Sequence, residues 1–385
     1  MLRATTNGVL KGYRYNLGYS RYTMDKARET VLTGRTFNTY AEDPAAAAHC
    51  YQLRRSFQRV DSQLALGKSV CHKYDVAWAT METVISDVDN RLDDSAYAEV
   101  LRALNDPTGP GRSALGDSLN ALADSIVQTM NARYGDNYVF AGADALHVPF
   151  SWDKDHNLLY RGVSVDAPVP PPEVEMGADG KPEKKEENGV FVYTKVSGGT
   201  ITEKEYQDGA ALQYMLNSEK KYADLGLGLE ENEGGKIIDG SAVNVALQGI
   251  DFLGCGKDED DDPKNVVSII RKMGNILNRC DPESGAFKSE KDRADLQRLA
   301  GKFELAADHL SNRHTELDTR KKFLDENQKL LENNAYTIQQ QFLAVEDVDP
   351  AEAITDFSWA KYCYDSALKV GNSVLSQSLM DYINL

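Results

Sequence analysis

The chain has 385 residues, enough for two or three domains with a sizeable buried core. Its formal charge of −17 argues against nucleic acid and anionic membrane surfaces as partners. No run reaches the ~20 apolar residues of a membrane span, and five widely spaced cysteines without a CxxC form neither a disulfide framework nor a zinc site.

The charge is unevenly spread. Residues 1–60 hold ten Lys/Arg against four Asp/Glu, whereas residues 151–262 hold 24 acids against 11 bases. The N-terminal stretch has no continuous apolar core of the kind a secretory signal peptide carries, which taken alone predicts a cytosolic protein.

The first predicted element is a helix over 6–33. Leu10, Tyr13, Leu17, Ser20, Met24, Ala27 and Val31 recur at alternating steps of three and four, the period of a seam made for another helix. Gly34 supplies the stop. Asp43-Pro44 then starts a long helix, Asp as the cap and Pro at the first helical position. Its ladder runs from Cys50 to Leu92, so Cys50, Cys71, Tyr74 and Trp78 are expected in the core.

Asn105-Asp106-Pro107 breaks that pattern, and a third helix follows through Leu115, Leu119, Leu122 and Ile126. Residues 137–165 read as strands or a hairpin, and 166–190 as a Pro/Gly/charge loop. Short strand-like pieces are expected up to about Gly256. Asp262-Pro263 repeats the helix-start signal. From about Ser289 a heptad of Phe303, Leu310, Leu317, Leu324, Leu331, Ile338 and Val345 predicts a second long helix. Arg313, Arg320 and Asn327 lie on its other edge, where polar residues fix register or partner number.

After Pro350 the last helix carries Ile354, Phe357, Tyr364, Leu368, Leu375, Tyr382 and Leu385 on a three-four ladder, with Lys361, Gly371 and Ser378 between them. Its partner is expected to be the first helix. The fold class predicted is mainly α: an elongated coiled-coil rod made by the two ends of the chain, with a central β-rich insert. The expected boundaries are assembly helices at 1–42 and 346–385, rod helices at 43–136 and 263–345, and an acidic insert at 137–262. The predicted assembly interface is Leu10, Leu17, Met24 and Val31 with Leu368, Leu375 and Tyr382. A seam of two buried residues per heptad, each contributing roughly 1.5–3 kcal/mol, falls short of the roughly 7–14 kcal/mol of backbone ordering, and hydrogen bonding and flanking burial only narrow the gap. Both ends are therefore expected to be largely disordered in the free monomer and to fold on assembly.

Three blocks carry a family resemblance: TGRTFNTYAEDPAAAAHCYQLRRS from Thr33, YVFAGAD from Tyr138 with Pro149-Phe150 downstream, and the segment from Ala344 to Leu385. In that order they resemble the flagellin superfamily, over about residues 1–150 and 290–385. Asp43-Pro44, the FAG…PF block and the Ser378-Leu-Met-Asp-Tyr-Ile ending resemble its hook–filament junction branch more than filament flagellin. The cysteines are unusual for that family and leave open a disulfide after export. The resemblance implies export by the type III pathway without a cleaved signal, and an extracellular place on the flagellum. It also implies partners: copies of the chain itself in a ring, flagellin, a hook-side junction protein, and an export chaperone before secretion. Filament flagellin and a non-flagellar coiled-coil adhesin or secretion-tip protein are the alternatives.

Chemistry is not expected. There is no glycine-rich phosphate loop, no Ser/His/Asp arrangement and no HExxH, so neither an enzyme nor a cofactor is predicted. His309 and His314 are five apart on a predicted helix and read as solvated residues rather than metal ligands. The acidic run 258–262 lacks the alternation and central glycine of a calcium loop. The basic N-terminal segment either meets acidic neighbours in an assembly or is a solvated face.

Overall fold

The computed structural model describes residues 6–383 except 90–94, 106–110, 177–181, 188–189, 239 and 282–283, with side chains described from residue 8 to 373, Val9 excepted. The chain opens with helices α1 (Thr6–Thr33), α2 (Pro44–Asp89), α3 (Ala96–Asn105) and α4 (Gly111–Met130). Short strands follow: β1 (Arg133–Tyr134), β2 (Asn137–Tyr138), β3 (Phe150–Trp152), β4 (Leu158–Tyr160), β5 (Val163–Ser164), β6 (Lys184–Glu187), β7 (Val190–Thr194) and β8 (Thr200–Thr202). Helix α5 (Glu203–Asn217), strands β9 (Tyr222–Ala223) and β10 (Val243–Asn244), and helices α6 (Gly249–Leu253) and α7 (Val266–Leu277) come next. Two long helices close the sequence, α8 (Glu290–Glu346) and α9 (Pro350–Ile383). No described helix is long and apolar enough to cross a membrane. Mainly α with a β-rich centre is the class expected from periodicity.

The helix starts show where the sequence signals act. Asp43 Oδ1 accepts from the backbone N–H groups of Ala45 (3.1 Å) and Ala46 (2.9 Å), and Asp349 Oδ1 accepts from that of Ala351 (2.8 Å). Each places an anion over the unsatisfied first turn. Asp262-Pro263 does not do this. Helix α7 begins three residues later, with Asn265 accepting from the N–H groups of Val267 and Ser268. The insert, expected as strands around a loop at 166–190, differs in two places: Lys184–Glu187 within that loop forms β6, and a helix replaces expected strand. Residues 203–217 form α5, started by a reciprocal cap in which Thr202 and Glu205 satisfy each other's backbone N–H groups. Only Gly209 and Leu212 are buried along it, so its apolar periodicity is faint.

The structure forms two compact units. One comprises Met1–Ser62 with Leu330–Leu385, the other Gln63–Lys329. The second unit holds the main core. There Tyr74, Met81 and Val84 of α2 are fully buried in one cluster with Leu119, Ile126 and Met130 of α4, and Ile270 and Met273 of α7. Cys71 is buried in the same cluster and Trp78 packs against it half-buried, as the ladder predicts. Helices α4 and α7 cross on a pair of glycines. A Cβ on Gly116 would lie 2.7 Å from the Gly274 carbonyl oxygen, and one on Gly274 2.9 Å from that of Gly116. Backbone meets backbone here, so only glycine fits.

The heptad of α8 is buried from Phe303 to Leu331, whereas its last two members, Ile338 and Val345, are only half-buried. Phe303, Leu310, Leu317 and Leu324 are at most 2% exposed in the second unit, and Leu331 is buried in the first. Its polar edge is used differently from a register device between helices. Asn327 donates to the Leu225 carbonyl (2.9 Å), and Arg313 pairs with Asp251 (2.9 Å). The two histidines are half-buried rather than fully solvated. His309 Nε2 lies 3.0 Å from the Asp251 carbonyl oxygen, and His314 packs on Trp78 with ring centroids 5.3 Å apart.

The sheets are small and antiparallel: a β1–β2 hairpin, a β9–β10 pair, and the three-stranded sheets β3-β4-β5 and β6-β7-β8. Phe150 and Tyr160 face each other across β3 and β4 and drive one sheet into the core, their rings 5.1 Å apart. The acidic run is an ion-pair knot. Lys302 Nζ reaches Asp258 (2.6 Å), Asp260 (2.9 Å) and Asp262 (2.7 Å), filling the space a cation would occupy. Asp262, only 1% exposed, is also held by Lys272 (2.6 Å) and Arg298 (2.8 Å).

Asp166 follows β5 with its Oδ1 buried and without a hydrogen-bond partner. Burial pushes its carboxyl up to about 6. A raised carboxyl destabilises the fold only when ionised, so the cost is absent below the ordinary value of 3.8 and complete above about 6. Asp166→Asn is therefore expected to stabilise the second unit by about 1–3 kcal/mol at a pH near 8 and by nothing near 4. Urea unfolding at the two pH values reads this directly.

Candidate functional site

The first unit is organised by the pairing of α1 with α9. At its base the chain segments that enter and leave are clamped. Thr36 N–H donates to the Glu346 carbonyl (2.8 Å) and Val348 N–H to that of Gly34 (3.1 Å). The Glu346 carboxylate, 9% exposed, takes Arg35 (3.2 Å) on one oxygen and Arg54 (3.4 Å) on the other. Arg54 also lies over the Phe342 ring, 5.1 Å from its centre. Cys50 is buried in this neighbourhood, and its thiol is pushed up by desolvation and by the Glu346 charge.

From that base the helices run antiparallel. Tyr13 marks the register: its hydroxyl donates to the Ala367 carbonyl (3.1 Å), and its ring lies where a Cβ on Gly371 would fall. Tyr13 and Gly371 set the pairing, and stepping both ladders towards the base from them brings Leu17, Ser20, Met24, Ala27 and Val31 opposite Ala367, Tyr364, Ala360, Phe357 and Ala353. Every one of those α1 residues is half-buried while nearly all between them are exposed. Leu10, Leu17, Met24 and Val31 therefore line the α1 side of this intrachain seam.

The α9 half does not lie where its larger apolar residues suggest. The seam uses Ala353, Ala360 and Ala367 with Phe357, Tyr364 and Gly371, one step round from Ile354 and Leu368. Ile354 is 54% and Leu368 42% exposed. Leu375 and Tyr382 fall outside the residues whose side chains are described. Small residues on α9 receive large ones from α1, which lets the backbones approach until Tyr13 covers Gly371. The signal was present as an alanine heptad, 353, 360 and 367, but a search for large apolar side chains passes over it.

The pair leaves much apolar surface uncovered. Tyr15, Tyr19 and Tyr22 share one face of α1 at 62–78% exposure, and Trp359 stacks on Tyr362 on α9, both more than 60% exposed. Between the helices a groove of about 820 Å³ opens, with Tyr19, Ala27, Ala353, Trp359 and Cys363 in its walls. Basic Lys26 faces acidic Asp349, Glu352 and Asp356 across it.

No protein-family model and no curated protein matches the sequence. Solved structures do. A protein from Vibrio parahaemolyticus named as a flagellar hook-associated protein is 12% identical, with 79% of this chain and 99% of that chain covered and a TM-score of 0.48. Flagellar hook associated protein-3 from Legionella pneumophila is 13% identical, with coverage of 77% and 98% and a TM-score of 0.46. The flagellar junction protein FlgL from the same organism is 14% identical, with coverage of 79% and 100% and a TM-score of 0.41.

Proposed function

We propose that this chain is a structural subunit of the bacterial flagellum, a hook–filament junction protein that assembles through α1 and α9. The observation that carries the reading is the state of the α1–α9 seam. The α1 ladder stays half-buried in the single chain, and a stripe of tyrosines and a Trp–Tyr stack lie bare beside it. Each uncovered large side chain is worth roughly 1.5–3 kcal/mol when removed from water, so neighbouring copies complete what one pair leaves marginal. The motif blocks at both ends of the sequence support the same assignment.

In this reading copies of the chain form a ring, with flagellin on one side and a hook-side junction protein on the other. An export chaperone holds the terminal helices before type III secretion, and the role is structural, not catalytic. The interface includes Leu10, Leu17, Met24, Val31, Leu368, Leu375 and Tyr382, the exposed Leu368 facing a neighbouring subunit.

Immunogold labelling of isolated flagella with an antibody to the acidic insert tests the location. A collar of label at the hook–filament boundary is expected. Label along the whole filament would make the chain a filament subunit, and no label on flagella would remove it from the organelle. Leu375→Asp, which places a charge on the assembly seam, is expected to abolish filament attachment while the helical content of the free chain is unchanged by circular dichroism.

A further inference from the structure

The second unit contains a cavity of about 440 Å³ unrelated to helix pairing. Helix α2 contributes Lys73 to it, the β1–β2 hairpin Tyr134 and Tyr138, and the strand β9 Tyr222 with Lys221 just before it. Lys73 Nζ donates to the Val245 carbonyl (3.1 Å), which uses one of its three protons. Among the described residues neither lysine is paired with a carboxylate. Asp136 and Asp224 also face the cavity; Asp224 is engaged by the Gln63 side chain (3.0 Å) and the Gly226 N–H (3.0 Å).

Lys73 and the exposed Lys221 therefore line one cavity together with Asp136 and Asp224, and among the described residues neither ammonium is paired with those carboxylates. Desolvation, and then repulsion from Lys221, lower Lys73 to about 8. A molecule with a net charge of −17 should favour protonated lysines, so the local cost prevails over the global field. An anion between the two ammoniums removes the repulsion and gains charge-assisted hydrogen bonds. The three tyrosines add flat apolar faces with hydroxyl edges, suited to a sugar ring. The volume is that of a small-molecule site.

We propose that this cavity binds a small sugar anion, its acidic group bridging Lys73 and Lys221 and its ring lying against Tyr134, Tyr138 and Tyr222. The acidic group is a carboxylate or a phosphate, and the probes separate the two.

Calorimetric titration of the full chain with glucuronate, glucose 6-phosphate, inorganic phosphate and glucose provides the test. At least one of the two sugar anions binds, and the tighter one identifies the acidic group. Glucose and inorganic phosphate each bind about tenfold or more weakly than that anion, because each lacks half of the recognition. Lys73→Met and Lys221→Met each weaken binding by about tenfold or more, with unchanged circular dichroism. Affinity falls between pH 7 and 9 as Lys73 loses its proton, and binding near pH 8 takes up a proton, the ligand raising the lysine it contacts. Silence from both sugar anions at about 10 mM, well above the range of a specific site, overturns the proposal. So does affinity that neither lysine variant changes, or inorganic phosphate binding as tightly as the sugar anions.

Discussion

Asp262→Asn lowers the stability of the second unit by about 2–4 kcal/mol at neutral pH. Asp262 is buried to 1% exposure, and its two carboxylate oxygens receive Lys272, Arg298 and Lys302. Removing one partner from a buried ion network costs roughly 3–5 kcal/mol because the remaining charges are left uncompensated. The expected value is smaller because Lys272 and Arg298 are each 43% exposed and water screens them. Lys302 is only 18% exposed but keeps Asp258 and Asp260. Urea unfolding followed through Trp78 and Trp152 reads the loss; a change under about 0.5 kcal/mol would mean the knot is a surface ornament.

The same network has a pH signature. Hydrogen bonds and ion pairs to the three cations hold the Asp262 carboxyl below its ordinary value of 3.8, and Lys302 holds Asp258 below it too. A depressed carboxyl stabilises the native state above its unfolded value, and that contribution drains away as pH falls towards the folded one. The wild type should therefore lose stability on acidification below about pH 4 more steeply than Asp262→Asn, which has already lost that contribution.

Gly371→Val uncouples α1 from α9. The Cβ would fall inside the Tyr13 phenol, whose hydroxyl is bonded to the Ala367 carbonyl. Tyr13 must swing out, giving up that bond and the cover over the helix crossing, at a cost of about 1–3 kcal/mol. That is a large share of what a half-buried two-helix seam can supply. Amide exchange should show faster opening of α1 and the first half of α9, with the second unit unchanged. Assembly should fail as well. Tyr13→Ala in the same chain restores much of the pairing by making room, a coupling that a double-mutant cycle measures. Additive effects of the two substitutions would place Tyr13 away from Gly371.

The sequence by itself determined the helical frame. Heptad spacing found α8, and its residues from Phe303 to Leu331 are buried as the period requires, because any helix with that stripe must bury it. The Asp43-Pro44 signal located the start of α2, since the cap and the fixed proline torsion act within one turn and need no tertiary partner, and Asp349 caps α9 in the same way. The alternating ladder of α1 likewise survives intact. Where the sequence failed, the deciding contact was long-range. Asp262-Pro263 looks like a third helix start, but Lys302 and Arg298, about 40 positions further on, claim the carboxylate for an ion-pair knot. The α9 stripe looks centred on Ile354 and Leu368, but α1 brings large side chains, so the alanines and Gly371 take the seam. Lys73 and Lys221 are 148 residues apart and carry no mark in the sequence. Only folding brings them to one cavity, because burial and like-charge repulsion exist between neighbours in space and not along the chain.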